Sequence, residues 1–415
     1  MVRITTAIGS LMSANNKLRD AILQEKLSAG FADVLYSVTF PSLKPAGVDA
    51  MPAIVVMLEQ ISEWSSNAPF PLAMRSMKGL ITNGLVQIIG EYRKTRHLLA
   101  DFDREKLDRT ILFALSRAIE ASMFPKTAFY FYKDALFHPY MKPSVIDSFE
   151  ETVLGTAATF FEVYPLLLPQ HRTHTCDNLD HYDLGLDTIP APYTKGQSCS
   201  QCHTVVYCSE KCQAEDWKAR HRQECQSMRL EYSERKQSKS WSTHHHRTFH
   251  LAALVHKFAD STLLWNAVND RARGPLNERM VTTMNLACVG GQFRWSPLEE
   301  YVDRTTPFLP KHKVSRFEEL VSWFKRAEPH VKVTNDGISL LSLELVNGVF
   351  FFGDLELNYA VLMRRLEDTG PEGTDKFAVA GYLTFICPRT ERKNASTTLD
   401  PSLQRTTSEP SVKGL

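Results

Sequence analysis

Between Cys199 and Cys225 the chain reads CSQCHTVVYCSEKCQAEDWKARHRQEC, and five of its eight cysteines stand in these 27 residues. Cys199 and Cys202 form a C-x2-C pair, Cys208 and Cys212 a C-x3-C pair, and His221 and Cys225 an H-x3-C pair. Zinc takes four thiolate or imidazole ligands in a tetrahedron, and each such pair brings two of them to one ion. Six ligands are too many for one ion and too few for two. Cys176 lies just upstream, with His171, His174 and His181 around it. Cys176 and one of these histidines complete eight ligands, enough for two zinc ions. Paired disulfides are a poorer reading, because a secreted scaffold disperses its cysteines whereas a metal site clusters them with histidine. With every position taken by protein, no place is left for a reacting water, so the zinc is expected to be structural.

The spacing C-x2-C-x5-C-x3-C-x8-H-x3-C, the aromatic Tyr207 before Cys208, and the CQxxDW word from Cys212 to Trp217 resemble the MYND zinc finger. The resemblance covers residues 176–225 only. It implies interleaved ligand pairs: Cys199, Cys202, His221 and Cys225 on one zinc, and Cys176, Cys208, Cys212 and one further group on the other. That family usually supplies two cysteines as the first pair, where this chain has Cys176 followed by His181. His181 is preferred as the missing ligand, with His174 or His171, or a site completed by water, as alternatives. The family's fingers bind short proline-containing peptides, which implies Gln213 as an amide donor to the peptide, Trp217 as an apolar wall and Tyr207 as its completion.

Lysine and arginine number 48 against 47 acidic residues, a formal net charge of +1. This balance argues against a basic nucleic-acid binder. Four acidic and four basic residues between Cys199 and Cys225 give the finger no cationic excess either. The first 18 residues lack the pattern of a signal peptide, and no stretch reaches the roughly 20 apolar residues of a membrane span. Clustered reduced thiols then point to cytoplasm or nucleus.

The expected fold is mainly α, in three parts and a tail: a helical domain over 1–170, a small two-zinc MYND-like finger over 171–228, an α+β domain over 229–387 with a short antiparallel sheet, and a disordered tail over 388–415. Apolar positions three and four apart predict helices over 51–64, 73–89, 106–124 and 144–164, separated by prolines. They form an irregular bundle or a helical repeat, although no fixed period emerges. Lysines and arginines outnumber acids over 226–250, which reads as a solvated linker, or as a contact for an acidic partner. His244, His245, His246 and His250 have no cysteine or carboxylate at ligand spacing. Helices are expected over 249–268 and 317–326. Strands are expected over 331–334, 338–346, 349–352 and 377–387, with Asn347-Gly348 as a hairpin turn and a helix over 355–366. Cys288 and Cys387 read as inert core thiols.

The function this supports is a zinc-dependent, non-catalytic adaptor that recruits another protein. The first alternative is a finger that only clamps the domains on either side. The second is a SET-type lysine methyltransferase, since many MYND fingers are inserted in such enzymes. No Asn-His-Ser-like word and no cysteine-rich tail of that class follows the finger.

Overall fold

The computed structural model describes chiefly residues 14–24, 70–95, 101–131, 175–182, 196–260, 279–286, 292–327, 330–334, 337–341, 343–352, 355–366 and 376–388. The helices expected over 51–64 and 144–164, the tail over 388–415, and His171, His174 and Cys288 fall wholly or mainly outside these residues.

The amino-terminal region contains α1 (Asn16–Gln24), α2 (Phe70–Thr82), α3 (Leu85–Thr95) and α4 (Asp101–Ser122). The apolar run over 73–89 predicts one helix, and the structure makes two of it. Gly84 adopts φ 105°, a left-handed conformation that costs glycine little and ends α2. Leu80, Ile81, Leu85, Ile88 and Ile89 are buried around this break, and the Tyr92 hydroxyl donates to Asp108 on α4 at 2.7 Å.

After the finger come α6 (Arg222–Gln237) and α7 (His244–Asp260), the finger's own short helix Glu210–Asp216 being α5. The linker expected over 226–250 is therefore largely helical. The carboxy-terminal region adds β3 (Met280–Asn285), β4 (Gln292–Pro297), α8 (Leu298–Thr305), α9 (Lys311–Arg326), β5 (His330–Thr334), β6 (Gly337–Leu341), β7 (Leu343–Phe352), β8 (Leu355–Leu366) and β9 (Lys376–Pro388). Strands β5 and β6 form a hairpin of their own, and the other five make one sheet in the order β4-β3-β7-β8-β9. All its pairs are antiparallel except β3 with β7, so the expected short antiparallel sheet is a mixed one.

Two expectations fail in this sheet for physical reasons. The segment 355–366 is a strand, not a helix. Its odd positions Leu357, Tyr359, Val361 and Met363 pack with Phe249, Leu254 and Phe258 of α7, while Ala360 and Leu362 pack with Phe317, Leu320 and Phe324 of α9. Because helices cover both faces, the middle of the strand, 359–363, is an unbroken apolar run in which the period of two is lost. Asn347-Gly348 is likewise no turn but the middle of β7, paired with Ala360 and Tyr359. A side chain at Gly348 would meet Leu254 of α7 at 2.8 Å, so the glycine serves close packing of helix on sheet.

His250 sits in the seam between α7 and the sheet. Its Nδ1 accepts from the Tyr359 hydroxyl and its Nε2 donates to the Met123 carbonyl, both at 2.8 Å. Met123 and Phe124, just after α4, share this core, so the amino-terminal helices and the sheet are packed together. No helix among the described residues is long and apolar enough to cross a membrane.

Candidate metal centres and the finger surface

The finger is assembled from short devices. Strands β1 (Gln197–Ser198) and β2 (Val206–Tyr207) pair antiparallel and bracket the first thiol loop. The loop closes tightly: the His203 amide donates to the Cys199 carbonyl at 2.9 Å, and His203 itself takes φ 56°. The Thr204 amide, 3.4 Å from Cys202 Sγ, points a donor at the thiolate. Ser209 caps α5 by accepting from the Cys212 amide at 3.2 Å, which fixes Cys212 on the first turn. A single π turn, Trp217–His221, then links α5 to α6 and sets His221 and Cys225 in reach of the thiol loop. Upstream, Asp177 exchanges two hydrogen bonds with Val206, at 2.8 and 2.7 Å, which lays the segment 176–182 beside β2. Leu179 of that segment packs into the core beneath the sheet, and the short 3-10 turn Leu179–Tyr182 carries His181.

These devices gather the predicted ligands into two groups: Cys176, His181, Cys208 and Cys212, and Cys199, Cys202, His221 and Cys225. In each group all four ligand atoms lie within 4.8 Å of one another. In the first, Cys208 and Cys212 Sγ are 3.5 Å apart and His181 Nδ1 lies 3.1 and 3.4 Å from Cys212 and Cys208. In the second, Cys199 and Cys225 Sγ are 3.9 Å apart and Cys202 Sγ is 3.5 Å from His221 Nε2. A zinc tetrahedron with ordinary bond lengths has S···S edges of about 3.8 Å and S···N edges of about 3.5 Å. Disulfide sulfurs would be about 2 Å apart. The two sites fit two zinc ions.

Electrostatics agree with that assignment. Burial pushes the Cys176, Cys202 and Cys208 thiols up, and burial together with the neighbouring Cys202 and Cys199 pushes Cys225 to about 12. Cys199 moves down in spite of burial, because the Cys202 and Gln201 amides point at it. Crowded buried thiols resist ionising together unless a cation takes the place of their protons. Burial, and then the charge of Arg316, keep His221 neutral, the form that ligates.

The three expected peptide contacts separate. Tyr207 is a correction: it is fully buried, and its hydroxyl donates to Asp216 at 2.7 Å, so it fills the finger's interior and forms no surface wall. Trp217 is 38% exposed, its ring edge-on to His221 at a centroid distance of 5.7 Å. Gln213 stands one turn before it on α5, half-buried.

One part of the site had no signal in the sequence. Arg316, from α9, enters the finger: its Nε donates to Glu224 at 2.7 Å, Nη1 to the Asp177 carbonyl at 2.7 Å, and Nη2 to Asp216 at 2.8 Å. Asp216, the acid of the CQxxDW word, is thus held by Tyr207 and Arg316 together. Arg220 pairs with Asp180 and with Glu319 of α9, Lys313 and His312 pair with Glu231 of α6, and Arg247 of α7 binds Asp177. Ninety or more residues separate Arg316 from its carboxylate partners, and no local pattern announces such a contact.

Residues 188–225 match the family model described as the MYND finger. This segment is a MYND zinc finger. The match stops short of Cys176 and His181, which the fold nevertheless adds to the first metal group. No curated protein and no solved structure matches the chain. A MYND finger is in general a protein-interaction module, here with two Cys3His sites and a brace from α9.

Proposed function

We propose that this chain is a non-catalytic adaptor that uses its MYND finger to capture a proline-containing segment of a partner protein. The observation that carries the reading is the division of labour between two aromatics. Tyr207 occupies the finger's core with Val205 and Met228, whereas Trp217 is left half in solvent on a helix fixed by zinc ligands at Cys212 and His221. An exposed indole held rigid from beneath suits the flat ring of proline, and Gln213 supplies an amide for the peptide backbone. Both metal sites draw four ligands from protein, as structural zinc does and catalytic zinc does not.

Trp217→Ala tests this. Fluorescently labelled proline-containing peptides are titrated against wild type and variant, with zinc content and far-ultraviolet dichroism measured alongside. The reading expects binding to fall at least about tenfold with metal and helicity unchanged. Equal binding by both proteins overturns it.

The brace from α9 supports a second role, the clamp. Arg316 bonds the Asp216 and Glu224 carboxylates and the Asp177 carbonyl of the finger region, so the finger also ties α9 to α6. If Trp217→Ala unfolds the finger and releases zinc, the clamp alone remains.

A further inference from the structure

Helix α6 leaves the finger with two very different sides. Its inward acids are consumed: Glu224 by Arg316, and Glu231 by Lys313, His312 and Arg235. Its outward cations are not. Arg222, Arg229 and Lys236 are all exposed and stand seven residues apart, so they form one row along the helix at intervals of about 10.5 Å. Lys218, one turn upstream, is exposed as well. Lys236 is steadied by lying 5.4 Å over the Tyr232 ring. Glu234, the last acid of α6, is exposed but lies at least about a third of a turn away from the row. About a quarter to a third of a turn from the row, Leu230 is 60% exposed, more than any other large apolar residue described.

We infer that this outer face of α6 is a docking surface for an acidic helix of a partner protein, a surface distinct from Trp217. Charge complementarity names the occupant's sign, because two of the helix's three carboxylates, Glu224 and Glu231, are turned inward while the row of cations faces out. The spacing names its shape: a partner helix with carboxylates every seventh residue has the same interval of about 10.5 Å and meets the row in register. Leu230, on the flank of the exposed face, adds an apolar edge to the contact. Duplex nucleic acid fits less well, since each of its strands presents a phosphate about every 3.4 Å of axis and a single sparse row engages few of them.

The test uses the full zinc-loaded chain and a fluorescein-labelled helical peptide with glutamates at heptad spacing around one leucine. Its glutamine counterpart and a labelled duplex DNA are run beside it, and anisotropy is read at low and high salt. The glutamate peptide should bind at low salt, weaken as salt rises, and bind at least about tenfold more tightly than the glutamine peptide. The triple variant R222E/R229E/K236E should lose that binding while keeping zinc and helicity, and Leu230→Ser should weaken it. Trp217→Ala should leave it unchanged, which separates this surface from the proline site. Indifference to the charge reversal, equal binding of the glutamine peptide, or tighter binding of the duplex through the same three residues each overturn the inference.

Discussion

Substituting Arg316 by alanine strips three hydrogen bonds from the finger at once, leaves the wholly buried Asp216 to the Tyr207 hydroxyl and to Arg220 at 3.7 Å, and takes the guanidinium away from Glu224. Losing one partner of a buried ion pair costs about 3–5 kcal/mol, mostly because the remaining charge is neither solvated nor paired. The cost should fall where Arg316 acts, on the contact between α6 and α9. Amide hydrogen exchange with mass spectrometry reads it locally, and the penalty corresponds to exchange faster by roughly two to nearly four orders of magnitude in those helices if they open together. A companion variant, Arg316→Met with Asp216→Asn and Glu224→Gln, removes the charges along with the guanidinium. It should regain much of the protection, as neutral replacements of buried ion pairs commonly do. Unchanged exchange in Arg316→Ala, or no recovery in the companion, refutes the claim that a buried charge network fastens the finger to α9.

Native mass spectrometry of wild type should show two zinc ions, and Cys176→Ser with His181→Ala should show one; two ions in both would remove these residues from the ligand set. His250 should stay neutral well below the usual histidine range, because burial, and then the nearby His246, lower its pKa to about 3. With an unfolded value of 6.5, the stability tied to its neutral form is complete above about pH 6.5 and is lost as the pH falls toward 3, by about 1 kcal/mol at pH 5.5. Imidazole nitrogen NMR checks this directly, and an imidazolium signal for His250 above pH 5.5 or so would contradict the buried bond to Tyr359.

What could be read from the residues and what could not divides along the range of the interactions. The ligands were legible because metal chemistry fixes local spacing; counting to eight called for Cys176 and one nearby histidine, and the preferred one, His181, is the one that stands in the group. The helices α2, α4 and α9 were legible because each has one wet side. Strand β8 was not, since α7 and α9 cover both its faces and the run 359–363 shows no alternation, which leaves only a short alternating stretch ahead of it. Asn347-Gly348 carries the chemistry of a turn, yet Leu345, Val346 and Phe350 are all buried around it, and the gain from strand pairing and burial overrides the local preference. The burial of Tyr207 followed from a hydroxyl bond to Asp216, and Asp216 in turn depends on an arginine 100 residues away. Contacts of that span leave no trace in spacing.

Anyone fishing for the partner with an excised fragment would meet this wiring first. A bait trimmed to the matched stretch, 188–225, would omit two of eight metal-binding side chains and expose two carboxylates that normally share one guanidinium. The smallest trustworthy bait runs from ahead of Cys176 to beyond α9, and a negative result from anything shorter reports on a broken bait.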